Sequence, residues 1–143
     1  MIKENFSVLS EIGTYLARNR RQAAKVMGEG GRIVLMGSAF AGRVPFGGLS
    51  VYAATKAGLR GFAQGVARDL GQKGITINVL EPGPIDTDLN PADTEEAKYL
   101  SSFVATGAYG QVNDIANAVG FLVSENASYI TGIAMPVDGG LLA

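Results

Sequence analysis

The chain contains no cysteine and no histidine among its 143 residues. Without cysteine it can form no disulfide, run no thiolate chemistry and hold no iron–sulfur cluster. With both residue types absent, a zinc site would have to consist of carboxylates alone, so no metal is expected. Any proton transfer must also proceed without imidazole. An excess of charge is lacking too, since 12 Lys and Arg face 13 Asp and Glu for a net charge of −1. That balance gives no electrostatic ground for a nucleic acid or an anionic membrane as partner. No apolar run reaches the roughly 18–20 residues of a membrane span, and Met1-Ile2-Lys3-Glu4-Asn5 lacks the pattern of a signal peptide. A soluble, cytoplasmic protein is expected.

What is present is apolar and rich in glycine. Hydrophobic residues make up 47% and charged residues 17%, a globular composition with enough length for one domain and a real core. The 20 glycines are about twice the usual share of roughly 7%. Many fall where elements end, as at Gly28, Gly30, Gly31, Gly37, Gly74, Gly83, Gly139 and Gly140, positions that favour positive φ or close backbone approach. Gly58, Gly61 and Gly65 instead fall inside an expected helix, among Ala53, Ala54, Ala57 and Ala63. There they suggest neighbours that approach unusually closely.

Periodicity sets the order of elements. Val8, Leu9, Ile12, Leu16, Ala23, Val26 and Met27 recur at helical spacing, so a helix is expected over about 6–27. Arg18, Arg20, Arg21 and Lys25 near its end read as a solvated basic face that complements the helix dipole. The continuous apolar run 32–38 reads as a strand buried on both faces. A Gly- and Pro-bearing loop leads to a helix over 51–71, then a strand over 75–80 that Glu81-Pro82-Gly83-Pro84 breaks. A loop over 85–108 with a short helix near 94–104 follows, then a helix over 113–124 and a strand over 133–137, with Asn113 or Asp114 near the helix start. Strands separated by helices imply an α/β fold, with a parallel sheet of about three strands and helices on its faces.

Three residues carry chemistry. Ser38 ends the first strand, and Tyr52 and Lys56 lie one turn apart on one helix face. A cation beside the phenol favours its ionised form, which suits tyrosine for proton exchange. A serine at a strand tip can hold a carbonyl or alcohol oxygen against it. Each residue also has a plainer reading. Tyr52 can be an amphipathic core residue, Lys56 can run along its own helix, and Ser38 can simply bond local backbone. Asp86 and Thr87 can cap a helix after Pro84.

Taken together, GRIVLMGS, YAATKAGLRGFAQGVARDLGQKGITINVLEPGPIDTD and ASYITG…VDGG resemble the C-terminal half of a short-chain dehydrogenase/reductase. The resemblance covers about residues 22 to 143. It implies the C-terminal part of a Rossmann-type doubly wound sheet, as one partial domain over 1–143. It further implies carbonyl/alcohol interconversion by hydride transfer with NAD or NADP and a small-molecule substrate. Tyr52 would be the acid/base, Lys56 would assist it and bond the nicotinamide ribose, and Ser38 would orient the substrate oxygen. Pro82 and Gly83 would let the backbone turn beneath the nicotinamide. Ile85 would meet the carboxamide through its backbone, and Thr87 would reach the carboxamide or the pyrophosphate. Asn78 would be structural, near the end of its strand, and the loop from Asp88 to Thr106 would be the substrate lid.

Two departures from the family pattern stand out. Ser10, with Glu11 adjacent, occupies the position where the family usually carries an asparagine. No glycine-rich turn of the G-x-x-x-G-x-G or G-x-G-x-x-G type follows a strand, so most of a cofactor site is expected to lie outside this chain. The other reading is a non-catalytic module. The helices over 6–27 and 51–71 match the pair that builds the family's usual dimer interface, which implies a homo-oligomer. PGPIDTD-x-NPAD also resembles a bacterial branch of the family with a cyclic-di-GMP-binding member, which implies regulatory nucleotide binding.

Overall fold

A computed structural model describes residues 27–143. The helix expected over 6–27, with Ser10 and Glu11, lies outside the described residues. Three strands, β1 (Arg32–Met36), β2 (Thr76–Pro82) and β3 (Ala134–Val137), form a parallel sheet in the order β1-β2-β3. Val34 stands opposite Asn78, and Leu80 stands opposite Met135. The helices are α1 (Ser50–Leu70), α2 (Glu95–Ser101) and α3 (Val112–Val123). Short 3-10 turns occupy Ala39–Ala41, Gly71–Lys73 and Glu125–Ala127. The α/β architecture is the one the alternating elements imply.

The middle strand is the core. Ile77, Val79 and Leu80 are fully buried, and α1 lays Ala63, Val66 and Leu70 against Ile75, Ile77 and Val79. Burial of this many branched side chains stabilises the sheet by about 1.5–3 kcal/mol for each large one. The expectation that 32–38 is buried on both faces is corrected: Arg32–Leu35 are half-buried and Met36 is exposed, and only Gly37 and Ser38 past the strand end are buried. Among the described residues β1 pairs only with β2, so its outer flank is open.

Strand ends differ from expectation for local reasons. β1 stops at Met36 because Ser38 turns away to accept a bond from Phe40 N–H at 3.2 Å, starting the 3-10 turn. Gly37 still donates to Leu80 O at 2.7 Å, so the ladder fades rather than breaks. β2 runs on through Glu81 to Pro82, opposite Pro136 and Val137. Proline is tolerated at that end because the ladder needs no donor there.

Two anchors close the fold around β2. Asn78, mid-strand and 1% exposed, donates through Nδ2 to Ile130 O at 2.8 Å and accepts from Ile133 N–H at 3.3 Å. Thr131 Oγ1 accepts from Ile77 N–H at 3.1 Å, and Gly132, with φ of 76°, donates to Ile77 O at 2.7 Å. The Tyr129–Gly132 turn is thereby pinned to the sheet just before β3. At the N-terminus of α3 the expected helix start is met by Asp114, whose Oδ2 accepts from Gln111 N–H at 2.7 Å.

Among the described residues, a Cβ added at Gly58, Gly61 or Gly65 would meet nothing within 4 Å, and all three are exposed. They lie on the face of α1 turned away from the sheet.

Candidate functional site

Ser38, Tyr52, Pro82 and Gly83 come together on one cleft of about 370 Å³ at the C-terminal ends of β1 and β2. This is where an open parallel sheet offers a crevice between its diverging loops. Ser38 is 7% exposed. Because its oxygen already accepts from Phe40 N–H, its own proton is free to point into the cleft. Tyr52 stands in the first turn of α1, near the positive end of the helix dipole, and is 45% exposed.

Lys56 does not line the cleft. Its Nζ donates to Met36 O at 2.9 Å and lies 5.8 Å from the centroid of the Tyr52 ring. The ammonium therefore flanks the aromatic ring and ties α1 to the last residue of β1. That tether sets the helix bearing Tyr52 against the strand that delivers Ser38.

Ile85 and Thr87 line a neighbouring open hollow of about 490 Å³ together with Met36, Pro82 and Gly83. Ile85 pairs with Gly110, and Thr87 pairs with Asn90 across a tight turn. Asp86 does not cap a helix. Its Oδ1 accepts from Ala92 N–H at 2.9 Å and shapes the same loop. The missing Cβ of Gly83 is used inward, since an added carbon would sit 2.6 Å from Asp138 Cα. Within the 88–106 loop, the start of α2 is set by Thr94, whose Oγ1 accepts from Ala97 N–H at 3.1 Å.

Sequence reasoning missed several residues here. Phe40, Asn90 and Leu100 line the cleft, and Asn90 borders the neighbouring hollow as well. Arg60 on α1 bonds Glu81 on β2 at two points. That hydrogen bond, helped by the carboxylate's charge, raises Arg60 above the usual arginine range, with burial opposing. A lone Arg within a helix and a Glu before Pro-Gly carry no sequence signal of pairing.

Comparison with known proteins places this geometry in company. A family model described as enoyl-(acyl carrier protein) reductase matches residues 7–142. The chain is 47% identical over 118 residues to the cyclic-di-GMP-binding biofilm dispersal mediator protein of Escherichia coli (strain K12), covering 82% of this chain and 50% of that protein. It is 46% identical over 113 residues to the 3-oxoacyl-(acyl-carrier-protein) reductase FabG of the same organism, covering 78% and 46%. Among solved structures, the short-chain dehydrogenase/reductase from Serratia marcescens BCRC 10948 superposes with a TM-score of 0.91 at 41% identity, over 100% of this chain and 58% of that one. A blue fluorescent protein from a metagenomic library, solved in complex with NADPH, superposes with a TM-score of 0.84 at 47% identity, over 86% and 50%. The chain spans about half the length of the curated relatives it matches.

Proposed function

The chain belongs to the short-chain dehydrogenase/reductase family, and on that premise we propose that it serves NADPH- or NADH-dependent interconversion of a small carbonyl compound and its alcohol. The observation that carries this reading is the one cleft that Ser38 and Tyr52 both line, with Lys56 tying their two elements together. NADPH is favoured as the cofactor because solved relatives hold it. The hollow beside the cleft suits the nicotinamide end, with apolar walls at Pro82, Ile85, Val112 and Ile115 and a hydroxyl at Thr87. When bound, the dihydronicotinamide supplies a hydride to the carbonyl carbon.

The chain's own residues do the rest. Ser38 donates its hydroxyl proton in a hydrogen bond to the carbonyl oxygen and fixes its position. Tyr52 donates a second bond to that oxygen and transfers its phenolic proton as the carbon–oxygen π pair moves onto oxygen. The alcohol leaves, and the tyrosinate regains a proton from water reaching its exposed ring. Lys56 presents a cation to the ring while this happens. Positioned proton transfer of this kind contributes about 10²–10⁴-fold to rate.

The domain assignment is part of the same proposal: residues 1–143 form one part of a Rossmann-type domain. So is a homo-oligomer through the segments 6–27 and 51–71, supported by the exposed Val51 and by the open face at Gly58, Gly61 and Gly65. Among the described residues no helix is long and apolar enough to cross a membrane; we place the protein in the cytoplasm. A second reading, binding of a cyclic dinucleotide, is favoured by the 47% identity to the biofilm dispersal mediator.

Titration with NADPH, NADH and cyclic-di-GMP, followed by thermal shift, separates the readings. The expected result is stabilisation by a nicotinamide cofactor, with Tyr52→Phe retaining that binding and losing carbonyl reduction by at least about 10²-fold. Absence of any cofactor binding at millimolar concentration, or full activity in Tyr52→Phe, would sink the enzyme reading.

A further inference from the structure

A second hollow, of about 240 Å³, lies beside the catalytic cleft, and four aromatic side chains line it together with Arg43 at its polar part. Phe40 and Phe46 meet edge to face, with ring centroids 5.9 Å apart and planes at 79°. Tyr99 and Phe103 form a second such pair, at 5.1 Å and 83°. The first pair comes from the loop that follows Ser38. The second comes from α2 and the residues after it. Beneath them Phe40, Leu100 and Leu142 rest on the buried Ala39, Val104 and Leu141, so the floor is part of the core. The rim is not: Phe46 is 41%, Tyr99 63% and Phe103 52% exposed.

Clustered exposed aromatics around a concavity mark a surface that is covered during function. What covers this one is indicated by continuity. Phe40 and Leu100 line both the aromatic hollow and the Ser38–Tyr52 cleft, so a molecule seated at the hydroxyls extends directly into the aromatic box. Size selects among apolar arms. An apolar cavity of about 150 Å³ accepts benzene, so 240 Å³ has room for a substituted or fused ring. Two edge-to-face pairs offer ring faces and edges to a further ring, the arrangement aromatic groups prefer.

We propose that this hollow receives the aryl arm of the substrate, making the substrate class aryl ketones and aryl aldehydes. The inference rests on the carbonyl-reduction reading for the identity of the other end of the molecule. The carbonyl oxygen sits at Ser38 and Tyr52, and the ring lies across Phe40 between the two aromatic pairs. Lid residues Tyr99 and Phe103 then set specificity without touching the reacting atoms.

The test uses 2-acetylnaphthalene as the aryl ketone and 2-butanone as its aliphatic counterpart. The chain has no tryptophan, so the emission of the naphthyl ketone can be followed during titration. Phe103→Ala and Tyr99→Ala are each expected to weaken its binding about tenfold. Tyr129→Ala, at a fully exposed residue outside both the hollow and the cleft, should leave it unchanged. In NADPH-consumption assays Phe103→Ala should lower kcat/KM for the aryl ketone about tenfold and change that for 2-butanone by less than about twofold. Circular dichroism checks the fold, and Tyr99→Ala carries the test if Phe103→Ala does not fold.

Equal affinity of both variants and the unmodified protein for the aryl ketone would overturn the proposal, even with 2-butanone reduced normally. A change of sedimentation on Phe103→Ala with ketone binding intact would also overturn it, assigning the surface to a second copy of the chain. Aryl-ketone binding that depends on Phe103 while neither ketone is reduced would uphold the hollow and sink the catalytic reading instead.

Discussion

Arg60 grips Glu81 through two parallel bonds, Nε to Oε1 and Nη2 to Oε2, each 2.7 Å long. The carboxylate is fully buried, whereas the arginine side chain keeps 36% of its surface in water. Glu81 directly precedes Pro82-Gly83, and Arg60 lies one turn beyond Lys56 on α1. The pair therefore fastens the helix that carries Tyr52 to the strand that forms the opposite wall of the cleft. Fork-to-fork geometry of this type resists sliding as well as separation.

Arg60→Met should leave a buried carboxylate without its cation. The expected loss is about 3 kcal/mol, the low end for breaking a buried pair because Arg60 is partly hydrated. The double variant with Glu81→Leu should recover most of it, as seen by urea denaturation. A single-variant loss no larger than that of an exposed pair would refute the assignment. The pH sign follows from the raised arginine. Its contribution is present below the unfolded value and fades only as pH rises through the still higher folded value. The stability difference between protein and Arg60→Met should thus stay flat from roughly pH 7 to 10.

Gly83→Ala should cost about 1–3 kcal/mol, because its methyl would lie 2.6 Å from Asp138 Cα and 2.8 Å from Asp138 Cβ. Neither is the end of a flexible side chain, so β2 and β3 must shift. Gly47→Ala is the control, with nothing within 4 Å and no positive φ. Its melting temperature should match or slightly exceed that of the parent.

Asn78→Ala removes both bonds to the turn before β3 and leaves Ile130 O and Ile133 N–H short of partners. A loss of about 2–3 kcal/mol is expected. Hydrogen exchange should show it locally, with amides of 130–133 losing protection before those of β1. Uniform loss across the sheet would argue against a local anchor.

Lys56→Met breaks the bond to Met36 O. Because that bond is exposed, stability should change by less than about 1 kcal/mol. Carbonyl reduction should nevertheless fall by at least about tenfold, since the cation flanking Tyr52 is lost. Unchanged kcat with a normal fold would reduce Lys56 to a tether.

Legibility in the sequence depended on how local each feature is. The apolar run at the first strand and the alternation of helices with strands were readable, because they repeat within one element. Tyr52 and Lys56 were readable as neighbours, because four residues make one helical turn. The exposure of β1 was not, since an apolar run looks the same in the middle of a sheet as at its edge. What meets Gly58, Gly61 and Gly65 was not readable either, because small residues permit close approach without naming the neighbour.

By itself, then, the sequence determined the order of elements, the parallel α/β class and the Ser38, Tyr52 and Lys56 signature, along with the family they indicate. Those follow from spacing along the chain, where backbone geometry relates one residue to the next. Only the tertiary structure decided that Lys56 reaches Met36 O, that Arg60 meets Glu81, that Asn78 holds the turn at Ile130 and Ile133, and that Phe40 and Phe46 come to line one hollow with Tyr99 and Phe103. Those are contacts between segments far apart in sequence. Periodicity reports which face a side chain takes, and only packing selects what that face meets.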